Sequence, residues 1–182
     1  GTLLEAIHSL YPEAHLMGID QSDKMLRLAQ EKLDGSTVAL LKEDAIRYEP
    51  KEPLDIVVAS GILSVFEEFE PVLERWVSWL KTSGQLYLFG RFNSDKVDTI
   101  VRFRNHVTGE DWESGFTSYS VHTVSRFLTS RGLKHSFRRF YLNLDLPKPE
   151  DPIQTYTVRL ADGSRLVLNG ANIVAEHYFL VI

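Results

Sequence analysis

Leu16-Met17-Gly18-Ile19-Asp20 is the stretch on which the reading of this chain turns. It is a short apolar run ending in a carboxylate, and Ser22, two residues on, is a natural helix N-cap. Upstream, Thr2 to Leu10 carries Leu3, Leu4, Ile7 and Leu10 at helical spacing, and Tyr11-Pro12 closes the segment. Downstream, Ser22-Asp23 opens a second helix with Met25, Leu26, Ala29 and Leu33 on one face and Gly35 as its stop. Val38 to Leu41 is a further β-compatible run, followed by Glu43-Asp44-Ala45. Leu54 to Ala59 is a continuous apolar run of the kind expected for a strand buried on both faces, and Ser60-Gly61 breaks it.

The order continues with a helix opened by Glu70-Pro71, proline standing at a permitted first-turn position. Its apolar stripe is Val72, Leu73, Trp76, Val77 and Leu80, with Trp79 at the edge. Ser83-Gly84 then leads into a strand over Gln85 to Phe89. Strands alternating with helices predict a parallel sheet covered by helices. Beyond it the pattern changes. Ser94 is expected to cap a helix through Val97, Ile100 and Val101, and Thr108 to Ser118 reads as a polar loop. Ser120 caps a helix through Val124, Phe127 and Leu128 that ends at Gly132, and His135 to Leu144 is strand-like. Alternating Tyr156, Val158 and Leu160, then Asp162-Gly163, then Leu166 and Leu168, give a hairpin signal, because Asp-Gly readily takes positive φ. His177 to Ile182 is a last apolar strand.

Composition bounds what such a chain does. With 182 residues and 43% hydrophobic residues, one globular domain over 1–182 is expected. No apolar run reaches the roughly 18 residues of a membrane span, so no membrane partner is expected. There is no cysteine, hence no disulfide, thiolate metal site or cysteine nucleophile, in keeping with a cytoplasmic location. The net charge of −5 argues against a nucleic-acid partner, which calls for a basic face. The histidines lack the spacing of a metal site, so no metal is expected.

A carboxylate at the end of a second strand is the usual ribose ligand of nucleotide-binding α/β sheets. Together with Asp44 and Ser60-Gly61, each at the end of a separate predicted strand, it makes the chain resemble a class I S-adenosylmethionine-dependent methyltransferase. The resemblance implies a Rossmann-like α/β fold: a seven-stranded, mostly parallel sheet with a C-terminal antiparallel pair, helices on both faces and, here, an extra β-hairpin near the C-terminus. Gly1-Thr2-Leu3-Leu4-Glu5 looks like the tail of the family's glycine-rich loop, with Gly1 its last glycine, so the family's first strand is expected in the natural protein ahead of this sequence.

S-adenosyl-L-methionine is the cofactor the resemblance implies. It assigns the ribose hydroxyls to Asp20, 19 residues after Gly1, and the flanks of the adenine to Gln21 and Met25. Asp44 matches the residue accepting from the adenine amino group, and Ala45 offers a backbone N–H beside it. Ser60 and Gly61 match the place where backbone approaches the methionine part. Arg91, Trp112 and Phe116 are expected to line the acceptor pocket, and His106, His122 and Tyr119 are the candidates for proton transfer. The implied reaction is methyl transfer to oxygen or nitrogen of a small-molecule acceptor. The segment after the fourth strand, Ala59-Ser60-Gly61-Ile62-Leu63, lacks the Asn-Pro-Pro-Tyr-like motif of amino-group methyltransferases acting on DNA and protein glutamine. Two alternatives stay open: a nicotinamide-dependent oxidoreductase, which Asp20 suits equally, and a non-catalytic methyltransferase-like binding scaffold.

Overall fold

The structure, a computed structural model, describes residues 1–106, 109 and 111–182. It divides into two compact units, Gly1–Lys51 and Glu52–Ile182.

The N-terminal unit runs α1 (Thr2–Leu10), β1 (Met17–Asp20), α2 (Asp23–Lys32) and β2 (Ala39–Lys42). β1 and β2 pair in parallel, Met17 opposite Ala39 and Asp20 opposite Lys42, so α2 is the crossover of a βαβ motif. Ser22 caps α2 as expected, its hydroxyl accepting from the Met25 N–H at 3.3 Å. The core here is thin. Ala29 and Leu33 are its buried apolar residues, whereas Met25 of the expected stripe is exposed. The close contacts are made by glycines: a Cβ on Gly1 would stand 2.7 Å from Ala29 Cα, and one on Gly18 would stand 2.5 Å from Leu4 Cδ1.

The C-terminal unit holds β3 (Leu54–Ser60), a 3-10 turn (Leu63–Val65), α3 (Glu70–Ser78) and the long β4 (Leu80–Asn93). It continues through β5 (Arg102–Phe103), β6 (Glu113–Ser114), β7 (Tyr119–Ser120), α4 (Val121–Ser130), β8 (Ser136–Phe140), β9 (Thr155–Arg159), β10 (Arg165–Asn169) and β11 (His177–Val181). Its main sheet has the order β3-β4-β11-β8, with β7 joining the end of β4. β3 and β4 are parallel, and β11 is antiparallel to both of its neighbours. The last strand in sequence is therefore inserted between β4 and β8. β9 and β10 pair antiparallel across a turn with Gly163 at φ +84°.

Three local expectations change. β4 starts at Leu80 rather than Gln85, its pairing to β3 jumping from Leu54–Leu80 to Ile56–Gln85 across an irregularity. Gly84 fits there because a Cβ would lie 2.9 Å from the Leu54 carbonyl oxygen. The helix expected from Ser94 to Val101 does not form. Val97 and Ile100 are exposed, Thr99 bridges Ser118, and the Asn93 amide bonds the carbonyls of Val97 and Ser118. With no buried stripe to reward a helix, the backbone is satisfied by these long-range bonds instead. Within the expected polar loop, β5 pairs with β6; Val107, Thr108 and Glu110 lie outside the described residues.

The third change concerns burial. β3 is not buried on both faces within this unit: Val57 and Ala59 are buried, but Ile56 is 57% and Val58 45% exposed. Leu86, Leu88 and Phe92 of β4, Val72, Leu73 and Trp76 of α3, and Val124 and Leu128 of α4 are buried too. α3 and α4 lie together, Phe69 just ahead of α3 meeting Phe127 edge-on and Glu74 pairing with Arg131. On the other face Tyr87 and Phe179 are exposed as well. No described helix is long and apolar enough to cross a membrane.

Candidate active site

Within each unit taken by itself, candidate residues follow the carboxyl ends of parallel strands, where open α/β sheets take their ligands. In the N-terminal unit Asp20 ends β1 and is exposed. Its Oδ1 accepts from the Ser22 N–H at 2.8 Å, which fixes the carboxylate on the lip of α2 and leaves Oδ2 without a partner among the described residues. Gln21 and Met25 are exposed beside it. Asp44 follows β2 on the same edge of the β1–β2 pair. Its Oδ1 accepts from the N–H groups of Ile46 (2.7 Å) and Arg47 (3.2 Å), so this carboxylate closes the turn that carries Ala45. In both aspartates the bonds to the local backbone run through Oδ1.

In the C-terminal unit Ser60 ends β3, and Gly61 has φ +72° with open space where a Cβ would stand. Its N–H donates to the Phe89 carbonyl at 2.8 Å, pinning the turn to β4. The segment after this turn anchors the connection between β4 and α4. Glu67 receives Arg102 through Nε (2.5 Å) and Nη2 (2.7 Å) and the Ser114 hydroxyl at 2.5 Å. The bonds from Arg102 and Ser114 hold its carboxyl down at about 2. The Thr117 N–H donates to the Ser64 carbonyl at 3.1 Å, and the Tyr119 hydroxyl donates to the Phe66 carbonyl.

This frame decides where the other candidate residues stand. Tyr119 is buried, and burial, followed by the charges of Glu70 and Asp98, pushes its phenol well above the usual range, away from service as a base. His106 and His122 are exposed, the backbone N–H of His122 bonding the Ser120 cap at 3.1 Å. Trp112 is 61% exposed, with the Arg104 guanidinium 4.9 Å from its ring centroid. Phe116 is placed differently. It holds φ +61°, a conformation rare for an aromatic residue, and packs its ring on Phe103 and under the Arg91 guanidinium, 4.7 Å from centroid to Cζ.

Sequence alone leaves His177 aside. Strand pairing puts it directly opposite Arg91 and next to Phe140, and its ring stacks on Phe89 at 5.5 Å. Burial, then the neighbouring Arg91 charge, lowers its pKa to about 4. Alternation along the final strand is the signal that would have found it: His177, Phe179 and Val181 fall on one face.

Residues 1–86 match the family model of the methyltransferase domain. Solved structures of low sequence identity share the architecture. The DhpI–SAM–HEP complex aligns over 92% of this chain and 67% of its own, with 14% identity and a TM-score of 0.58. The chain has a class I methyltransferase fold. The plantazolicin methyltransferase BpumL, solved with a triazolic desmethylPZN analog and SAH, covers all of this methyltransferase-fold chain and 72% of its own, at 14% identity and a TM-score of 0.57. Among curated proteins, trans-aconitate 2-methyltransferase of Yersinia pestis (strain Pestoides F) is 29% identical over 86 residues, 47% of this chain and 33% of its own length. The chain spans about a third or less of the curated relatives it matches.

Proposed function

We propose that this chain carries out S-adenosylmethionine-dependent methyl transfer to oxygen or nitrogen of a small-molecule acceptor. The observation that carries the reading is the methyltransferase-domain match over residues 1–86, with Asp20 and Asp44 inside it at the carboxyl edge of a βαβ motif. The donor set suits an adenosine. Asp20 presents a carboxylate oxygen that accepts without donating, as a ribose diol requires. Gln21 and Met25 flank the adenine, Asp44 accepts from its amino group, and Ala45 offers its N–H. Gly1, where a Cβ would stand 2.7 Å from Ala29 Cα, leaves backbone bare beside α2. Ser60 and Gly61 receive the methionine part, Gly61 because its positive φ and missing Cβ let backbone come near.

The cofactor supplies a methyl group on a sulfonium, activated for displacement. An acceptor lone pair would take that methyl group, the carbon–sulfur pair being left on a neutral thioether. The protein's task is then to align the acceptor and exclude water. Arg91 and Phe116, with Trp112 further out, are assigned to the acceptor side. A base is needed only where the acceptor must shed a proton. His106 and His122 stay candidates for that role on exposure, and Tyr119 is disfavoured by its bond to Phe66.

A small acceptor is supported by the curated relative named for trans-aconitate. Incubating the full protein with methyl-labelled S-adenosylmethionine and an acceptor panel tests the reading directly. Transfer of label to a small acceptor, lost in Asp20→Ala, is expected. Label appearing only in DNA or RNA would refute the acceptor class.

A further inference from the structure

The face of the C-terminal unit's sheet that α3 and α4 leave open is apolar along most of its length. Ile56 and Val58 of β3, Tyr87 and Phe89 of β4, and Phe179 of β11 share it by register. At the carboxyl end of β4 this character stops. The next residue of β4 on that face is Arg91, and the next of β11 is His177, directly opposite it. Aromatic rings surround the pair: Phe116 on the guanidinium, Phe89 stacked on the imidazole, and Phe140 opposite His177 and edge-on to Phe89.

The guanidinium lacks what a half-buried cation ordinarily has. Its Nη1 is buried without a hydrogen-bond partner, and none of the ion pairs among the described residues includes it. Glu176 and Glu67 are committed elsewhere. Glu176, next to His177 in sequence, pairs with Arg139 at 2.7 Å and accepts from Tyr178, and Glu67 is taken by Arg102 and Ser114. Desolvating an arginine without a counter-charge is costly, and the fold accepts that cost at the strand end where ligands bind. Phe116 takes a rare backbone conformation to place its ring there, which holds the fork without neutralising it.

We infer that Arg91 and His177 form a carboxylate-binding site, so that the acceptor of this enzyme carries a carboxylate which they orient. The inference rests on the methyl-transfer reading for the word acceptor; the anion site itself stands on the Arg91 environment alone. At neutral pH His177 is uncharged, so the pair presents one positive charge and an additional N–H, matched to a single planar anion rather than to a polyphosphate. The aromatic rings around the pair suit a planar or unsaturated body attached to that carboxylate.

The test is a calorimetric titration of the full protein, saturated with S-adenosylhomocysteine, with trans-aconitate and benzoate and with their primary amides as neutral controls. At least one carboxylate is expected to bind, and its amide to bind more weakly by roughly ten- to a hundredfold, the range for losing a hydrogen bond to a charged group. Arg91→Gln is expected to abolish that preference, with S-adenosylhomocysteine affinity unchanged. Should Arg91→Gln fail to fold, Arg91→Lys, which keeps the charge and loses the fork, is expected to weaken the carboxylate and leave the amide unaffected. Failure of both carboxylates to bind, amides binding as well as acids, or a preference untouched by either variant would overturn the inference. Carboxylate binding through Arg91 in a protein that ignores S-adenosylhomocysteine would instead sink the methyl-transfer reading and keep the anion site.

Discussion

The N-terminal and C-terminal units are built on opposite economies. Gly1–Lys51 has a small core, Ala29 and Leu33, and two site carboxylates held by bonds to neighbours two or three residues away. Glu52–Ile182 has a deep core, with Leu73, Leu86, Phe92, Val124, Leu128 and Leu180 all but inaccessible, and its candidate residues are placed by long-range contacts such as Gly61–Phe89 and Arg91–His177, 28 and 86 positions apart in sequence. The difference teaches that the candidate residues of the first unit are specified locally and those of the second by topology. The local half tolerates a weak core because each aspartate brings its own turn. The topological half needs the whole sheet to be right before Arg91 and His177 can face each other.

Core truncations should break this comparison most visibly. Trp76→Ala, removing a ring buried at 2% exposure, is expected to cost about 3–5 kcal/mol in chemical denaturation, near the total stability of many domains. Leu33→Ala in the N-terminal unit is expected to cost about 2 kcal/mol, at the low end for such truncations because fewer groups surround it. Equal costs would show that the thin core is not thin energetically. Hydrogen exchange should rank the same way, amides of β4 and β11 outlasting those of β1 and β2.

The contrast also explains what could be read in advance. α1, β1, α2 and the Ser22 cap were legible because helical spacing, a cap and a short strand are local signals. Asp20 and Asp44 were legible for the same reason, each standing just after an apolar run. The region from Ser94 to Ser118 was not. Its apolar residues mimic a helical stripe, while its backbone is claimed by partners such as Ser118 and its side chains by Glu67. The exposed Ile56 and Val58 follow from which face α3 and α4 occupy, and a run of apolar letters does not encode that. His177 was hidden because its significance lies in β11 pairing with β4, a strand about 90 residues earlier.

A smaller effect sharpens the topological half. His177 titrates near 4 in the folded chain and near its ordinary 6.5 when unfolded. The unfolded chain therefore binds the extra proton first, so this residue's contribution is present above pH 6.5 and is lost as pH falls from there to about 4. Wild type is expected to lose stability over that window, and His177→Gln to lose less, measured as denaturation midpoints against pH. Smaller still is the half-buried Glu67 clamp. Its contribution persists to more acid pH, falling away only between about 4.5 and about 2, and Glu67→Gln should flatten that segment alone.

The most direct test of the central claim is calorimetric titration of the full protein with S-adenosylhomocysteine. The account predicts one saturable site, lost or weakened at least tenfold in Asp20→Ala while circular dichroism still shows the fold and denaturation shifts only by the lost Ser22 bond, about 1 kcal/mol, because Asp20 is exposed and its Oδ2 is spare. A folded protein that gives no heat, or an Asp20→Ala variant that binds with full affinity, would contradict it.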